Sequence, residues 1–223
     1  MQYLFFVPIC LVIMSVFIYY EHKEKYVLAV ILKGLASLCF VLFGVLCSIQ
    51  ALNMQFAKMV KIGLLLGLIA DIMLNLRFVF KKNGKLVFLV GILVFLAGHV
   101  LYLCALIPGY SYALVTTLAG IIVSALVLKW IFTQIEAEKA FKIFGVFYIG
   151  VIVIMNAFAL RNFILDSQMS NLIFLIGAIS FLFSDIVLIL NTFGKETKFS
   201  LRITNLSLYY VGQLLIAFSL SLL

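Results

Sequence analysis

The chain has 223 residues, of which 66% are hydrophobic and 11% are charged, and its mean hydropathy is +1.30. A soluble domain is closer to about half apolar and about a quarter charged, so this composition excludes a soluble globular protein. The formal net charge of +8 would suggest nucleic acid as the partner of a soluble chain, but the distribution of basic residues in membrane proteins accounts for it here. We therefore expect an all-α, polytopic membrane protein with a single membrane domain (1–223) and no nucleic-acid partner.

Eight apolar stretches are long enough to cross a bilayer, which takes about 20 residues of α-helix. They lie near residues 2–20, 26–50, 57–80, 85–106, 111–132, 141–160, 170–193 and 206–223. The first stretch has no basic residues before it and no small-residue cleavage site after it. We therefore interpret it as a membrane span rather than as a signal peptide.

The basic residues predict how these spans are oriented. Twelve of the sixteen Lys and Arg residues lie in the loops after the first, third, fifth and seventh spans. The opposite side has only Lys58, Lys61 and Arg161, and Lys33 lies inside the second span. Because cytoplasmic loops are enriched in Lys and Arg, both termini are predicted on the non-cytoplasmic side of the membrane. A bacterial chain of this kind would lie in the inner membrane.

Several landmark residues recur at a constant offset of 114 positions. The matched pairs are Gly63–Gly177, Asp71–Asp185, Ile72–Ile186, Leu74–Leu188, Leu76–Leu190, Lys81–Lys195, Gly98–Gly212 and Leu101–Leu215. Apolar matches are frequent in so apolar a chain, so the Gly and Asp matches carry the evidence. We expect two four-helix repeats, approximately 1–109 and 110–223, inserted the same way up and related by a pseudo-twofold axis along the membrane normal.

Asp71 and Asp185 each stand in the middle of an apolar span. A charge there costs about 3 kcal/mol to insert on translocon scales, and spanning a bilayer does not require it. The spacing Gly63-x-x-x-Gly67-x-x-x-Asp71 keeps these residues on one helix face, where small residues allow close packing. The carboxyl group of Asp71 is therefore predicted to point into the bundle. The alternative is a structural role, as an interhelical hydrogen bond or as a salt bridge to Lys33.

Other polar side chains lie at a similar depth in six of the eight spans. The candidate substrate-binding residues are Lys33, Asn75, His99, Tyr102, Tyr148, Ser184, Tyr209 and Gln213. Lys33 is either part of the site, as a carboxylate partner or a phosphate anchor, or it extends to the membrane surface. His99 is either part of the site or a neutral histidine hydrogen-bonded within its helix. We expect a cavity that opens toward the cytoplasmic leaflet.

Two carboxyl groups in such a cavity are suited to acid–base chemistry, because one protonated and one ionised carboxyl group can act near neutral pH. The sequence does not say which aspartate is protonated. Two Asp and one His lack the spacing of known metal-binding motifs, so neither a metal nor another cofactor is predicted.

At these residues the sequence resembles the YhhN family of eight-helix membrane proteins, which includes the animal lysoplasmalogenases. In the first half the matching pattern is Gly63…Asp71-x-x-Leu74…Phe78 and Gly91…Phe95…His99-x-x-Tyr102. In the second half it is Gly177-Ala178…Phe181…Ser184-Asp185-x-x-Leu188…Phe193 and Tyr209…Gln213…Ile216.

This resemblance implies a hydrolase that cleaves the vinyl ether bond of a lysoplasmalogen and releases a fatty aldehyde and a glycerophospho-ethanolamine or -choline. A protonated carboxyl group would protonate the alkene, and the ionised carboxylate would stabilise the resulting cation and activate water. The single-chain lipid would enter from the bilayer. The alternative function is a proton-coupled transporter or lipid exporter that uses the same aspartates.

Overall fold

The computed structural model describes residues 2–108 and 111–223, and the predicted boundary between two repeats, at residues 109 and 110, lies outside the described residues. Eight α-helices follow one another along the chain. They are α1 (Phe6–His22), α2 (Tyr26–Cys47), α3 (Met54–Leu76), α4 (Gly84–Leu106), α5 (Ala113–Gln134), α6 (Lys139–Leu165), α7 (Met169–Phe193) and α8 (Phe199–Ser219). All eight belong to segments long and apolar enough to cross a membrane. The prediction of an all-α protein with eight spans is confirmed.

Two helices extend beyond the predicted spans, because polar residues at their ends are satisfied inside the protein. The eighth helix begins at Phe199 rather than near residue 206. Its first turns contain Arg202, which forms an ion pair with Glu21 of α1. Arg161, predicted in a loop, lies inside α6 and donates to the Leu106 carbonyl at 2.8 Å. The length of an apolar stretch does not predict helix ends that lie in polar sequence.

Glycines allow close contact at two helix crossings. A methyl group on Gly98 of α4 would lie 3.1 Å from the carbonyl oxygen of Gly63 on α3. At the crossing of α7 and α8, a methyl group on Gly212 would lie 2.9 Å from the carbonyl oxygen of Gly177. The two crossings thus use residues that match at the offset of 114. Division of the chain into two repeats agrees with this packing and stays a prediction.

The helix that carries Asp71, α3, and the helix that carries Asp185, α7, both pack against α8. Helices α1 to α4 pack in chain order, as do α5 to α8, and α8 also packs against α2, while α4 packs against α6. Helix α5 contacts α6 and α7 and leaves large apolar side chains such as Leu114, Leu126 and Trp130 exposed. Exposed apolar side chains on a spanning helix are suited to contact with lipid.

The connections after α1, α3, α5 and α7 meet at one end of the bundle, which we call the basic end. Ile135 and Gly194 form an isolated antiparallel bridge between two of these connections. Lys85, at the start of α4, forms an ion pair with Glu138 before α6. The ring of Tyr26 stacks on that of Phe78 with a centroid distance of 5.2 Å. The side of the membrane that the basic end faces stays a prediction.

Candidate active site

Asp71 is buried in an environment that is typical of an ionised carboxylate. Its side chain is 2% exposed, and its Oδ1 lies 3.0 Å from the Nζ of Lys33 on α2. Its Oδ2 accepts hydrogen bonds from the Ser37 hydroxyl and from the Tyr209 hydroxyl, each at 2.6 Å. A cation and two hydroxyl donors offset the cost of burying a negative charge. Gly67, one turn before Asp71 on the same helix face, lies beside the Tyr209 hydroxyl, which would be 3.7 Å from an added methyl group.

Asp185 is equally buried, with 3% of its surface exposed, but its partners differ. Its Oδ2 accepts a hydrogen bond of 2.5 Å from the Tyr148 hydroxyl of α6. Within the described residues, no Lys, Arg or His side chain forms an ion pair with Asp185. A buried carboxyl group with one neutral donor and no cation is the better candidate for the protonated member of the pair.

One small cavity contains both carboxyl groups. Its volume is about 30 Å³, which is room for roughly two water molecules. Residues from six helices line it, and six of them belong to the predicted site. The lining residues are Lys33, Asp71, Leu74, Asn75, Arg77, Phe88, Phe95, Tyr148, Asp185, Leu188, Arg202, Asn205, Leu206 and Tyr209. We call this space the carboxylate cavity.

A chain of polar contacts leads from Asp71 to the basic end. The Nζ of Lys33 donates to Asn75 Oδ1 at 3.2 Å, and Asn75 Nδ2 donates to Glu21 Oε2 at 2.8 Å. Arg202 donates to both carboxylate oxygens of Glu21, from Nε at 2.7 Å and from Nη2 at 2.9 Å. Lys33 is 3% exposed. It is therefore a partner of Asp71 and does not extend to the membrane surface.

An apolar pocket adjoins the carboxylate cavity between α4, α5, α6 and α7. Its volume is about 60 Å³, and most of its wall consists of Phe, Ile and Leu side chains such as Phe141, Ile131 and Leu128. The pocket and the cavity share five lining residues. These are Leu74, Phe88, Phe95, Tyr148 and Leu188. The apolar pocket therefore lies directly against the carboxylate cavity.

A third space, which we call the vestibule, adjoins the carboxylate cavity at the basic end. Its volume is about 430 Å³. Charged side chains, including Glu21, Glu24, Lys198 and Arg202, line it together with aromatic and uncharged polar ones. Arg77, Leu188 and Arg202 line both the vestibule and the carboxylate cavity. The apolar pocket and the vestibule therefore each share lining residues with the carboxylate cavity.

Four of the predicted site residues lie outside the lining of the carboxylate cavity. Tyr102 donates to Gln213 Oε1 at 3.0 Å, which joins α4 to α8. The hydroxyl of Ser184 donates to the Asn205 backbone carbonyl at 2.9 Å, which joins α7 to α8. His99 Nδ1 lies 2.9 Å from a carbonyl of its own helix, and its Nε2 is buried without a hydrogen-bond partner. Their roles as substrate contacts stay predictions.

Sequence reasoning missed several residues that the fold brings to the site. Ser37 lies one helical turn after Lys33 and therefore shares a helix face with a predicted site residue, so this spacing could have predicted its place in the site. Glu21 and Arg202 stand at the ends of the first and last helices. No local pattern links these two positions, so only the fold reveals their ion pair. Arg77 was counted as a loop charge, yet it lines the carboxylate cavity.

The protein has eight helices long and apolar enough to span a membrane, and a cavity between them contains two buried carboxyl groups. These features define a multi-pass membrane protein with a candidate active site in its interior. The family model of the YhhN family matches residues 28–220, nearly the whole chain. The chain belongs to the YhhN family, as its sequence motifs indicate, and the match includes every predicted site residue. No curated protein and no solved structure matches the chain.

Proposed function

We propose that this protein is a membrane-embedded hydrolase that cleaves the vinyl ether bond of lysoplasmalogen-type lysophospholipids. The observation that carries this proposal is the arrangement of two carboxyl groups with unlike partners in one cavity between an apolar pocket and a polar vestibule. A single-chain phospholipid has the same order of parts, with an aliphatic chain, a reactive ether and a charged headgroup. Membership of the YhhN family supports this class of chemistry.

In this proposal Asp185 is the general acid. Its protonated carboxyl group transfers a proton to the outer alkene carbon, which leaves a cation shared between the adjacent carbon and the ether oxygen. Water then attacks that carbon and forms a hemiacetal, and the proton that water loses returns to Asp185. Collapse of the hemiacetal moves one proton from its hydroxyl to the departing glycerol oxygen. The products are a fatty aldehyde and a glycerophospho-alcohol, and the protein returns to its starting state.

Asp71 has the complementary role of a fixed carboxylate. Lys33, Ser37 and Tyr209 hold its oxygens in place, so the group needs no reorganisation when positive charge develops on the substrate. A preorganised carboxylate at a developing cation lowers the barrier, as it does at the oxocarbenium-like transition state of glycosidases. The carboxylate cavity has room for roughly two water molecules, so it must widen to hold the ether bond beside the attacking water.

The direct experiment supplies the detergent-purified protein with a lysoplasmalogen and measures release of aldehyde. We expect the wild type to release aldehyde without any membrane gradient. Asp185→Asn and Asp71→Asn should each reduce turnover by roughly 100-fold or more, which is the usual size of a general-acid contribution. The control is Glu196→Gln, which removes a carboxylate from the exposed loop after α7.

Two results would count against the proposal. Wild-type protein that binds the lipid but never releases aldehyde would favour a proton-coupled transporter or lipid exporter with the same aspartates. Full activity in either folded Asp→Asn variant would remove that carboxyl group from the mechanism. Thermal unfolding of each variant establishes that a loss of activity does not reflect a loss of structure.

A further inference from the structure

Arg77, directly after α3, is a cation whose contacts within the protein are incomplete. Its guanidinium group packs between two aromatic rings, 4.6 Å from the centroid of Phe78 and 4.3 Å from that of Phe88. Its Nε is buried and has no hydrogen-bond partner. Across residues 2–108 and 111–223, no carboxylate forms an ion pair with Arg77. A buried donor without a partner is costly, and a ligand that accepts from Arg77 would remove that cost.

The other two cations that line the carboxylate cavity already have anionic partners. Lys33 is paired with Asp71, and Arg202 is paired with Glu21. Burial and the nearby charge of Arg202 lower the pKa of Arg77 to about 10, so Arg77 remains a cation at neutral pH. The nearby Glu21 carboxylate attracts Arg77 but is itself paired with Arg202, so among the described residues Arg77 has no carboxylate of its own.

We propose that Arg77 binds the phosphate group of a single-chain phospholipid at the junction of the carboxylate cavity and the vestibule. The identity of the lipid rests on the proposed function, whereas the recognition of phosphate rests on Arg77 itself. A planar guanidinium group donates two parallel hydrogen bonds to phosphate oxygens, and the two aromatic rings fix its plane. Because Arg77 lines both spaces, a phosphate bound there leaves the glycerol backbone facing Asp71 and Asp185.

The geometry also assigns the ends of the bound lipid. With phosphate at Arg77, the headgroup alcohol extends into the vestibule, and the aliphatic chain extends into the apolar pocket beyond Tyr148. The ether bond, which lies between the chain and the glycerol, then falls within the carboxylate cavity. Arg77 is therefore a positioning residue: it sets the depth of the ether bond and does not transfer a proton.

The test measures binding of three uncleavable ligands to the detergent-purified protein by titration calorimetry. The ligands are a 1-O-alkyl-glycerophosphoethanolamine, the matching 1-O-alkylglycerol without phosphate, and inorganic phosphate. Arg77→Gln should weaken binding of the phospholipid by roughly tenfold or more, as expected for a lost charged hydrogen bond. The affinity for the alkylglycerol should change by no more than about twofold. Lys82→Gln, which removes an exposed charge from the same loop, should change neither affinity.

Other outcomes overturn the proposal. An equal loss of affinity for both lipids would mean that Arg77 only supports the fold, and an unchanged phospholipid affinity would place the phosphate elsewhere. Inorganic phosphate that binds as tightly as the phospholipid, through Arg77, would identify a free anion rather than a lipid headgroup as the ligand. Arg77→Lys keeps the charge but not the paired donors, so it should give an intermediate loss and provides a second variant if Arg77→Gln does not fold.

Because none of these ligands contains a vinyl ether, binding is measured whether or not the protein is a hydrolase. Absence of aldehyde release together with Arg77-dependent binding would count against the proposed reaction alone. Aldehyde release together with Arg77-independent binding would count against the phosphate site alone. If both proposals hold, Arg77→Gln raises KM for the lysoplasmalogen by roughly tenfold with little change in KM for 1-O-alkenylglycerol.

Discussion

Lys33 and Tyr148 hold corresponding places beside the two buried carboxyl groups. The Nζ of Lys33 lies 3.0 Å from Asp71, and the hydroxyl of Tyr148 lies 2.5 Å from Asp185. Lys33 stands on α2, which precedes the helix of Asp71, and Tyr148 stands on α6, which precedes the helix of Asp185. One carboxyl group therefore has a cation as its neighbour and the other has a neutral hydroxyl. We propose that this difference, on otherwise similar helix pairs, separates the two carboxyl groups into a fixed anion and a proton donor.

The first prediction concerns the Lys33–Asp71 pair. Removing one member of a buried ion pair leaves an unpaired charge, so Lys33→Met and Asp71→Asn should each reduce the free energy of unfolding by about 3–5 kcal/mol. The double variant should lose much less than the sum of the two. Reversible unfolding in mixed micelles measures all three. The exposed pair Lys198–Glu196 is the control, where exposed ion pairs couple by at most about 1 kcal/mol. Additive losses at Lys33 and Asp71 would contradict the pairing.

The second prediction concerns Tyr148, whose hydroxyl orients the carboxyl group of Asp185. Tyr148→Phe keeps the ring and removes the hydroxyl, so turnover should fall by roughly tenfold while KM changes little. Steady-state kinetics of aldehyde release measures both constants. Tyr19→Phe, on an exposed side chain of α1, is the matched control. A rise in KM without a fall in kcat would assign Tyr148 to substrate binding instead.

The third prediction concerns the crossing of α7 and α8. A methyl group on Gly212 would lie 2.9 Å from the Gly177 carbonyl oxygen and 3.2 Å from the Phe181 backbone nitrogen. These neighbours are backbone atoms, which cannot move aside as the end of a flexible side chain can. Gly212→Ala should therefore destabilise the protein by roughly 1–3 kcal/mol. In contrast, Gly145 on α6 has no atom within 4 Å of an added methyl group. Gly145→Ala should therefore be neutral or stabilising. The midpoint of thermal unfolding should be higher for Gly145→Ala than for Gly212→Ala.

The fourth prediction concerns the apolar pocket as the site of the aliphatic chain. Gly145 lines this pocket, so Gly145→Leu should occupy part of it. We expect the variant to lose kcat/KM for long-chain substrates by roughly fourfold for each methylene group excluded, and to retain activity on short chains. A series of substrates of increasing chain length measures the profile. Val146→Leu, next to it on an exposed face, is the control, and an unchanged profile in Gly145→Leu would place the chain elsewhere.

The sequence predicted the helices and the burial of both aspartates well, because each depends on a local signal. Twenty or so apolar residues form a span wherever they occur, and a carboxyl group within one is costly enough to indicate a site. Lys33, Tyr148 and Tyr209 were predicted near the site, but no local signal says which aspartate each tyrosine contacts. Tyr209 reaches Asp71 across 138 positions of the chain, and the contact depends on how α8 packs against α2 and α3. His99 packs against the rings of Phe95 and Phe181 and does not line the carboxylate cavity.

The ion pair between Glu21 and Arg202 fastens the first helix of the chain to the last. Both side chains are mostly buried, and the guanidinium group of Arg202 donates to both carboxylate oxygens of Glu21. The contact between α1 and α8 therefore resists separation. The hairpin of α5 and α6 borders the apolar pocket, so we expect this hairpin to move when a bulky amphiphile enters. If the proposed function holds, a cross-link between this hairpin and α4 stops aldehyde release, whereas one between α1 and α8 leaves it unchanged.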